Sequence, residues 1–136
     1  MPFITWNDRL SVDIEELDSD HRKMIRLINE LYDGIAAGYG RDVIEGIIDD
    51  VVSYTNYHFA HEEQLFATTG YAEAEAHKKE HDAMAAWAKE VQDEYKQGSM
   101  AAPALEVMVR LKDWVFDHIL GSDQKYALYM KAMGVH

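Results

Sequence analysis

Apolar residues recur along this chain at spacings of three and four, the period of an amphipathic helix, and no stretch beyond a few residues alternates as a strand would. The first such run extends from about Ser19 to Ala37, with His21, Ile25, Ile28, Tyr32 and Ile35 on one face. Asp18 or Ser19 is placed to cap its start, and Gly38 and Gly40 to end it. A second run, from about Arg41 to Ala67, carries the stripe Ile44, Ile47, Val51, Tyr54, His58, Glu62, Leu65. A third begins near Ala72, after Thr68-Thr69-Gly70, and ends at Gly98, its inward line being His77, His81, Met84, Ala88, Val91 and Tyr95. The fourth opens at Pro103, a residue suited to a first helical turn, and sets Met108, Leu111, Val115 and His118 on one side. Beyond Gly121 the segment Ser122–Met133 continues it after a disturbance.

Short connections between successive helices favour antiparallel neighbours, so the pattern predicts an all-α, up-down-up-down four-helix bundle. Residues 1–17, with Trp6, read as an extended N-terminal arm packed across it. The chain holds no internal repeat, low-complexity tract or linker, and one domain over 1–136, with the bundle at 18–136, is expected.

Composition narrows the chemistry. A chain of 136 residues that is 48% hydrophobic can bury a core without disulfides, and it has no cysteine. Thiolate metal sites, iron–sulfur clusters and thiol redox chemistry are thereby removed. Thirteen basic against 25 acidic residues give a net charge of −12, which repels a phosphate backbone and argues against nucleic-acid binding. No run of about 18 apolar residues could span a membrane, and MPFITWNDRL lacks the basic and apolar regions of a secretory leader. A cytoplasmic protein is expected, with a monomer favoured.

What remains unusual is histidine. Five of the seven, His21, His58, His77, His81 and His118, fall in line with the apolar stripes of their helices, and Glu62 and Asp123 sit a turn or slightly more beyond a histidine. Buried charge is costly unless paired or bound to metal. Residues four apart on a helix are rotated by only about 40° and separated by about 6 Å, so His58 with Glu62, and His77 with His81, can each reach one centre. His118 and Asp123 are five apart, an offset of about 140° on a straight helix. Either the helix is locally overwound or bulged near Gly121, a π-type irregularity at a functional site being one way to re-aim a side chain, or Asp123 is not a ligand. His61, about 60° from His58 around the helix, reads as a surface or supporting residue. The acidic run Glu73, Glu75, Glu80, Asp82 reads as a solvated face.

Imidazole plus carboxylate suits iron, and zinc, copper or nickel less exclusively. Seven ligands are too many for one ion, whereas two ions bridged by two carboxylates would use them all and leave one position open. A zincin-like protease is eliminated, because His61-Glu62 is followed by Glu63-Gln64-Leu65 and lacks the second histidine of H-E-x-x-H. The ferritin-like di-iron arrangement is richer in carboxylates than this set.

These residues resemble the bacterial hemerythrins over nearly the whole chain. The resemblance runs through Trp6, Ser11-Val12-Asp13-Ile14 and Leu17-Asp18-Ser19-Asp20-His21, then His58-Phe59-Ala60-His61-Glu62-Glu63 and His77-Lys78-Lys79-Glu80-His81. It ends with Trp114-Val115-Phe116-Asp117-His118 through Asp123 and Tyr126. Asp13 stands where the family often has glycine. The resemblance implies two non-haem irons, one held by His77, His81 and His118, the other by His21 and His58, with Glu62, Asp123 and an oxo or hydroxo group bridging. It further implies reversible binding of dioxygen at the His21/His58 iron, in a pocket walled by Met24, Phe59, Trp114, Val115 and Ile119, and no enzymatic turnover. Oxygen carriage or storage, with delivery to an oxidase or oxygenase, is the first expectation. The alternatives are oxygen or redox sensing through a separate partner, and peroxide, nitric oxide or iron handling.

Overall fold

The computed structural model describes residues 2–98 and 104–135. Its helices are α1 (Glu15–Ala37), α2 (Arg41–Thr69), α3 (Ala74–Gln97), α4 (Ala104–Asp117) and α5 (Gln124–Ala132). A six-residue π turn, His118–Asp123, joins α4 to α5. Asp117, Asp123 and Gln124 keep right-handed helical dihedrals, so α4, the π turn and α5 form one continuous rod, the fourth of the bundle. Pro103 and His136 lie outside the described residues.

Contacts along the rods give their directions. Asp20, early in α1, meets Tyr54 and His58, well along α2, whereas Gly34, near the end of α1, faces Ile44 near the start of α2. Arg41, opening α2, donates to the carbonyls of Tyr95 and Lys96 near the end of α3. The Arg110 guanidinium lies over the Trp87 ring, and Glu80 meets His118. Successive rods are antiparallel, as the spacing predicts. Tight left-handed turns close the first two: Gly38 (φ 74°) ends α1 and Gly70 (φ 68°) ends α2, a backbone region that costs other residues about 1–2 kcal/mol. None of the helices described is long and apolar enough to cross a membrane.

The start of α1 departs from the expectation. The helix begins at Glu15, four residues before Ser19, and neither Asp18 nor Ser19 caps it. Asp18 instead lies within the first turn and reaches back, accepting from the Val12 N–H at 2.8 Å and the Ser11 hydroxyl at 2.6 Å. Those bonds hold a turn in which Asp13 takes a positive φ of 58°. An aspartate tolerates that conformation better than most residues. The arm is therefore shorter than residues 1–17. It packs on α1 through Ile4, whose backbone exchanges two hydrogen bonds with the Asn29 side chain, at 2.7 and 2.8 Å. Phe3 stacks on Tyr32, and Arg22 covers Trp6.

Two apolar clusters fill the bundle. One joins Ile4 and Leu10 to Ile25, Ile28, Ile44, Met84, Met108 and Val115. The other joins Val12, Ile14 and Leu17 to Phe66, Tyr71, Tyr126 and Met130. Fully burying each such side chain is worth about 1.5–3 kcal/mol. Between them lies a layer of histidine and carboxylate that earns no comparable gain and demands another source of stability.

A candidate metal centre

All seven side chains that the sequence singles out converge in that layer, each at most 4% exposed. Regular α-helix delivers His58 with Glu62 and His77 with His81. The π turn delivers Asp123: its wider hydrogen-bonded ring spends one extra residue, so a five-residue spacing turns the carboxylate inward beside His118. His21 enters from α1.

The carboxylates divide their oxygens between two sets of imidazoles. Glu62 Oε1 lies 3.4 Å from His77 Nε2 and 3.0 Å from His81 Nε2, while Oε2 lies 3.6 Å from His21 Nε2 and 3.3 Å from His58 Nε2. Asp123 repeats the division, with Oδ1 at 3.1 Å from both His77 and His118 Nε2 and Oδ2 at 3.2 Å from His21 Nε2. These approaches lack hydrogen-bond geometry. The Nε2 atoms of His21, His77, His81 and His118, Oε1 of Glu62 and both Asp123 oxygens are buried without a partner. Lone pairs aimed at common points rather than at one another are what cation ligation requires. Glu62, His77, His81 and His118 form one group able to hold a metal ion, and His21, His58 and Glu62 a second.

Electrostatics agrees. Burial alone would push the His21 imidazolium toward deprotonation, yet the Asp123 and Glu62 carboxylates reverse this and raise its pKa to about 10. The same balance brings His77 to about 9. Burial opposes ionisation of Glu62, but His58, His21 and His77 hold it well below the usual carboxylate range. The site thus keeps two buried anions that call for positive charge, and a metal cation meets that demand by displacing protons from the imidazoles.

Comparison with known proteins settles the family. Residues 12–128 match the model of the hemerythrin HHE cation-binding domain. The chain belongs to the hemerythrin family. A bacteriohemerythrin of Stenotrophomonas maltophilia is 35% identical over 97% of this chain and 84% of its own length. One of Methylococcus capsulatus is 28% identical over 97% and 100%. The crystal structure of a wild-type hemerythrin superposes with a TM-score of 0.85 at 28% identity, covering 92% of this chain and 95% of that one.

Around this hemerythrin centre runs a set of supports that spacing alone did not reveal. Asp20 Oδ2 receives His58 Nδ1 at 3.0 Å, Glu63 receives His81 Nδ1 at 3.0 Å, and Glu80 receives His118 Nδ1 at 3.1 Å. Each acid adjoins an inward-facing residue of its own helix in sequence and holds the histidine of the next helix. A neighbour is rotated by about 100°, so it leaves the central line and meets the adjoining rod. With Nδ1 donating outward, Nε2 is left as the inward lone pair. Glu80 is therefore no mere member of a solvated face; both of its oxygens also accept from Ser122 Oγ at 2.7 Å. His61 lies outside the cluster, half-buried, with its Nδ1 2.6 Å from the same Asp20 oxygen. Tyr126 donates to Glu62 Oε2 at 2.5 Å, and burial beside that carboxylate keeps the phenol protonated.

The five side chains expected to wall an oxygen pocket lie against the cluster or in the core. Phe59 stacks on His81 with centroids 3.9 Å apart, and Trp114 stacks on His118 at 4.5 Å. Val115 and Ile119 are buried, and Met24 is buried on α1, one turn beyond His21.

Proposed function

We propose that this chain holds two iron ions and binds dioxygen reversibly, as a carrier or store rather than an enzyme. His77, His81 and His118 would hold one iron and His21 and His58 the other, with Glu62, Asp123 and an oxo or hydroxo group as bridges. The observation that carries the reading is the division of both carboxylates' oxygens between the two imidazole sets. Such a division suits a bridge and would be wasted on a single ion. A nitrogen-rich donor set without thiolate fits iron, and the relatives named bacteriohemerythrin support the oxygen-binding role.

When bound, the iron pair supplies two electrons to dioxygen and recovers them on release. The chain's own part is to hold the geometry and keep the pocket dry. Asp20, Glu63 and Glu80 fix three imidazoles, and the Tyr126 hydroxyl fixes Glu62. Phe59, Trp114, Val115, Ile119 and Met24 would exclude the water that lets reduced oxygen escape and leaves the metal oxidised. With three histidines on one side and two on the other, a dioxygen site would be sought beside His21 and His58.

The test is anaerobic reduction of iron-loaded protein, then repeated admission and removal of oxygen under a visible spectrophotometer. A charge-transfer band that rises with oxygen and vanishes on its removal, cycle after cycle, is expected. Immediate decay to a ferric form would overturn carriage and favour redox sensing.

A further inference from the structure

The metal layer is buried, and a cation that reaches it must pass the supports around it. Those supports meet the surface in different ways. Glu63 and Glu80 each join one buried imidazole to the exterior through a single, partly exposed carboxylate. Behind His58 the connection is longer and contains a second imidazole. Asp20 Oδ2 meets His58 Nδ1 at 3.0 Å and His61 Nδ1 at 2.6 Å. With Nδ1 donating to Asp20, His61 Nε2 is left as an outward lone pair. It lies 3.4 Å from Glu16 Oε2 without hydrogen-bond geometry, the same relation that the inner ligands bear to one another. Side-chain exposure rises outward along this line, from 9% at Asp20 to 28% at His61 and 81% at Glu16.

Helical spacing builds the line. Glu16 and Asp20 stand four apart on α1, and His58 and His61 three apart on α2, so each pair shares a face. Because the two rods run antiparallel, Glu16 meets His61 and Asp20 meets His58 as successive rungs. Glu16 and His61 open into a surface depression with Glu15, Gln64 and Thr68. A cleft lined by one sign of charge concentrates counter-ions at its mouth. Imidazole with carboxylate is a donor set for divalent transition metals. The inner end of the line also suits a transfer. Among the described residues, Nδ1 of His21 is buried without a hydrogen-bond partner, so the His21/His58 set has one carboxylate tether where the other set has two. It is the set freer to turn toward an incoming ion.

We propose that Glu16 and His61 form a transit site for divalent transition-metal cations, which pass across Asp20 to the His21/His58 side of the layer. Glu16 Oε2 and His61 Nε2 take the ion first. It then exchanges bound water for Asp20 and His58, and any proton on the nitrogen it meets leaves to solvent. The inner destination rests on the two-iron reading above; capture at the outer rung does not.

Exchange of ⁵⁷Fe(II) into the iron-loaded, anaerobically reduced protein, followed by native mass spectrometry, tests the route. Glu16→Gln and His61→Ala should each slow exchange severalfold and leave the iron content at the parent level. Glu15→Gln removes the same charge from the same depression and should exchange at nearly the parent rate. An unchanged rate in Glu16→Gln, or equal slowing in Glu15→Gln, overturns the transit site. Capture is read separately by titrating Mn(II) into the iron-loaded protein and following the electron paramagnetic resonance of free manganese. One weakly bound ion per chain should be lost in Glu16→Gln, and equal binding by parent and variant overturns capture. Should the parent hold fewer than two irons, the proposed function fails, and the manganese titration still decides whether Glu16 and His61 take a cation.

Discussion

The second and fourth rods each bring a histidine and a carboxylate to the same centre, by different routes. On α2, His58 and Glu62 stand four apart on unbroken α-helix, and the carboxylate faces inward at no cost in backbone geometry. On the fourth rod, His118 and Asp123 stand five apart, and the helix widens into a π turn to align them. Both carboxylates end fully buried, with one oxygen toward each imidazole set. The difference teaches that the chain conserves the direction of the carboxylate and lets the helix yield. A one-residue excess is absorbed within six residues, and α5 resumes in register to place Tyr126 against Glu62.

The largest effect comes from removing the carboxylates themselves. If the two routes are equivalent, Glu62→Ala and Asp123→Ala should each reduce iron loading from two ions per chain to one or none, read by metal analysis after anaerobic reconstitution. Both variants leave buried imidazoles without their anionic partners. Retention of both irons in Asp123→Ala alone would break the equivalence and make the π turn a packing irregularity.

An intermediate effect is expected from the acids that orient the histidines. Asp20 holds His58 on α2, and Glu80 holds His118 on the fourth rod. Losing such a partner costs about 10–100-fold in metal affinity. Asp20→Ala should lie toward the upper end, because Asp20 is buried and also serves Tyr54 and His61. Glu80→Ala should lie toward the lower end, because its side chain is 46% exposed and water can replace part of its role. Chelator competition on the two variants measures the ranking, and equal losses would show that burial of the supporting acid is immaterial.

The contrast between the rods also explains what could be read from sequence. His58…Glu62 and His77…His81 announce themselves, because four-residue spacing on an apolar stripe has one geometric meaning. His118…Asp123 poses a choice between a bulge and a non-ligand, and only the folded helix places Asp123 inward. Asp20, Glu63 and Glu80 escape a reading by stripes because each acts across a helix interface, at an angle its own helix does not encode. Glu80 in particular is hidden in an acidic run whose other members face solvent. The start of α1 is misjudged for a related reason: Asp18 has the chemistry of a cap, but its partners are Ser11 and Val12 on a turn that the periodicity does not describe. The bundle is thus readable from periodicity, and the outer supports only from packing.

The smallest effect bears on why the fourth rod yields at all. Gly121 lies inside the π turn, and glycine could permit the widening through its freedom or simply occupy it. Its φ is not positive, it is exposed, and a Cβ built there meets nothing within 4 Å. Alanine fits without strain, and in a helical interior it is favoured over glycine by up to about 1 kcal/mol. Gly121→Ala should therefore raise the melting temperature slightly in thermal unfolding and leave iron stoichiometry unchanged. That outcome would locate the cause of the π turn in the inward pull on His118 and Asp123, which a more helix-prone residue does not resist. A fall in stability with loss of one iron would locate it in glycine, and the two rods would then differ in backbone requirement as well as in spacing.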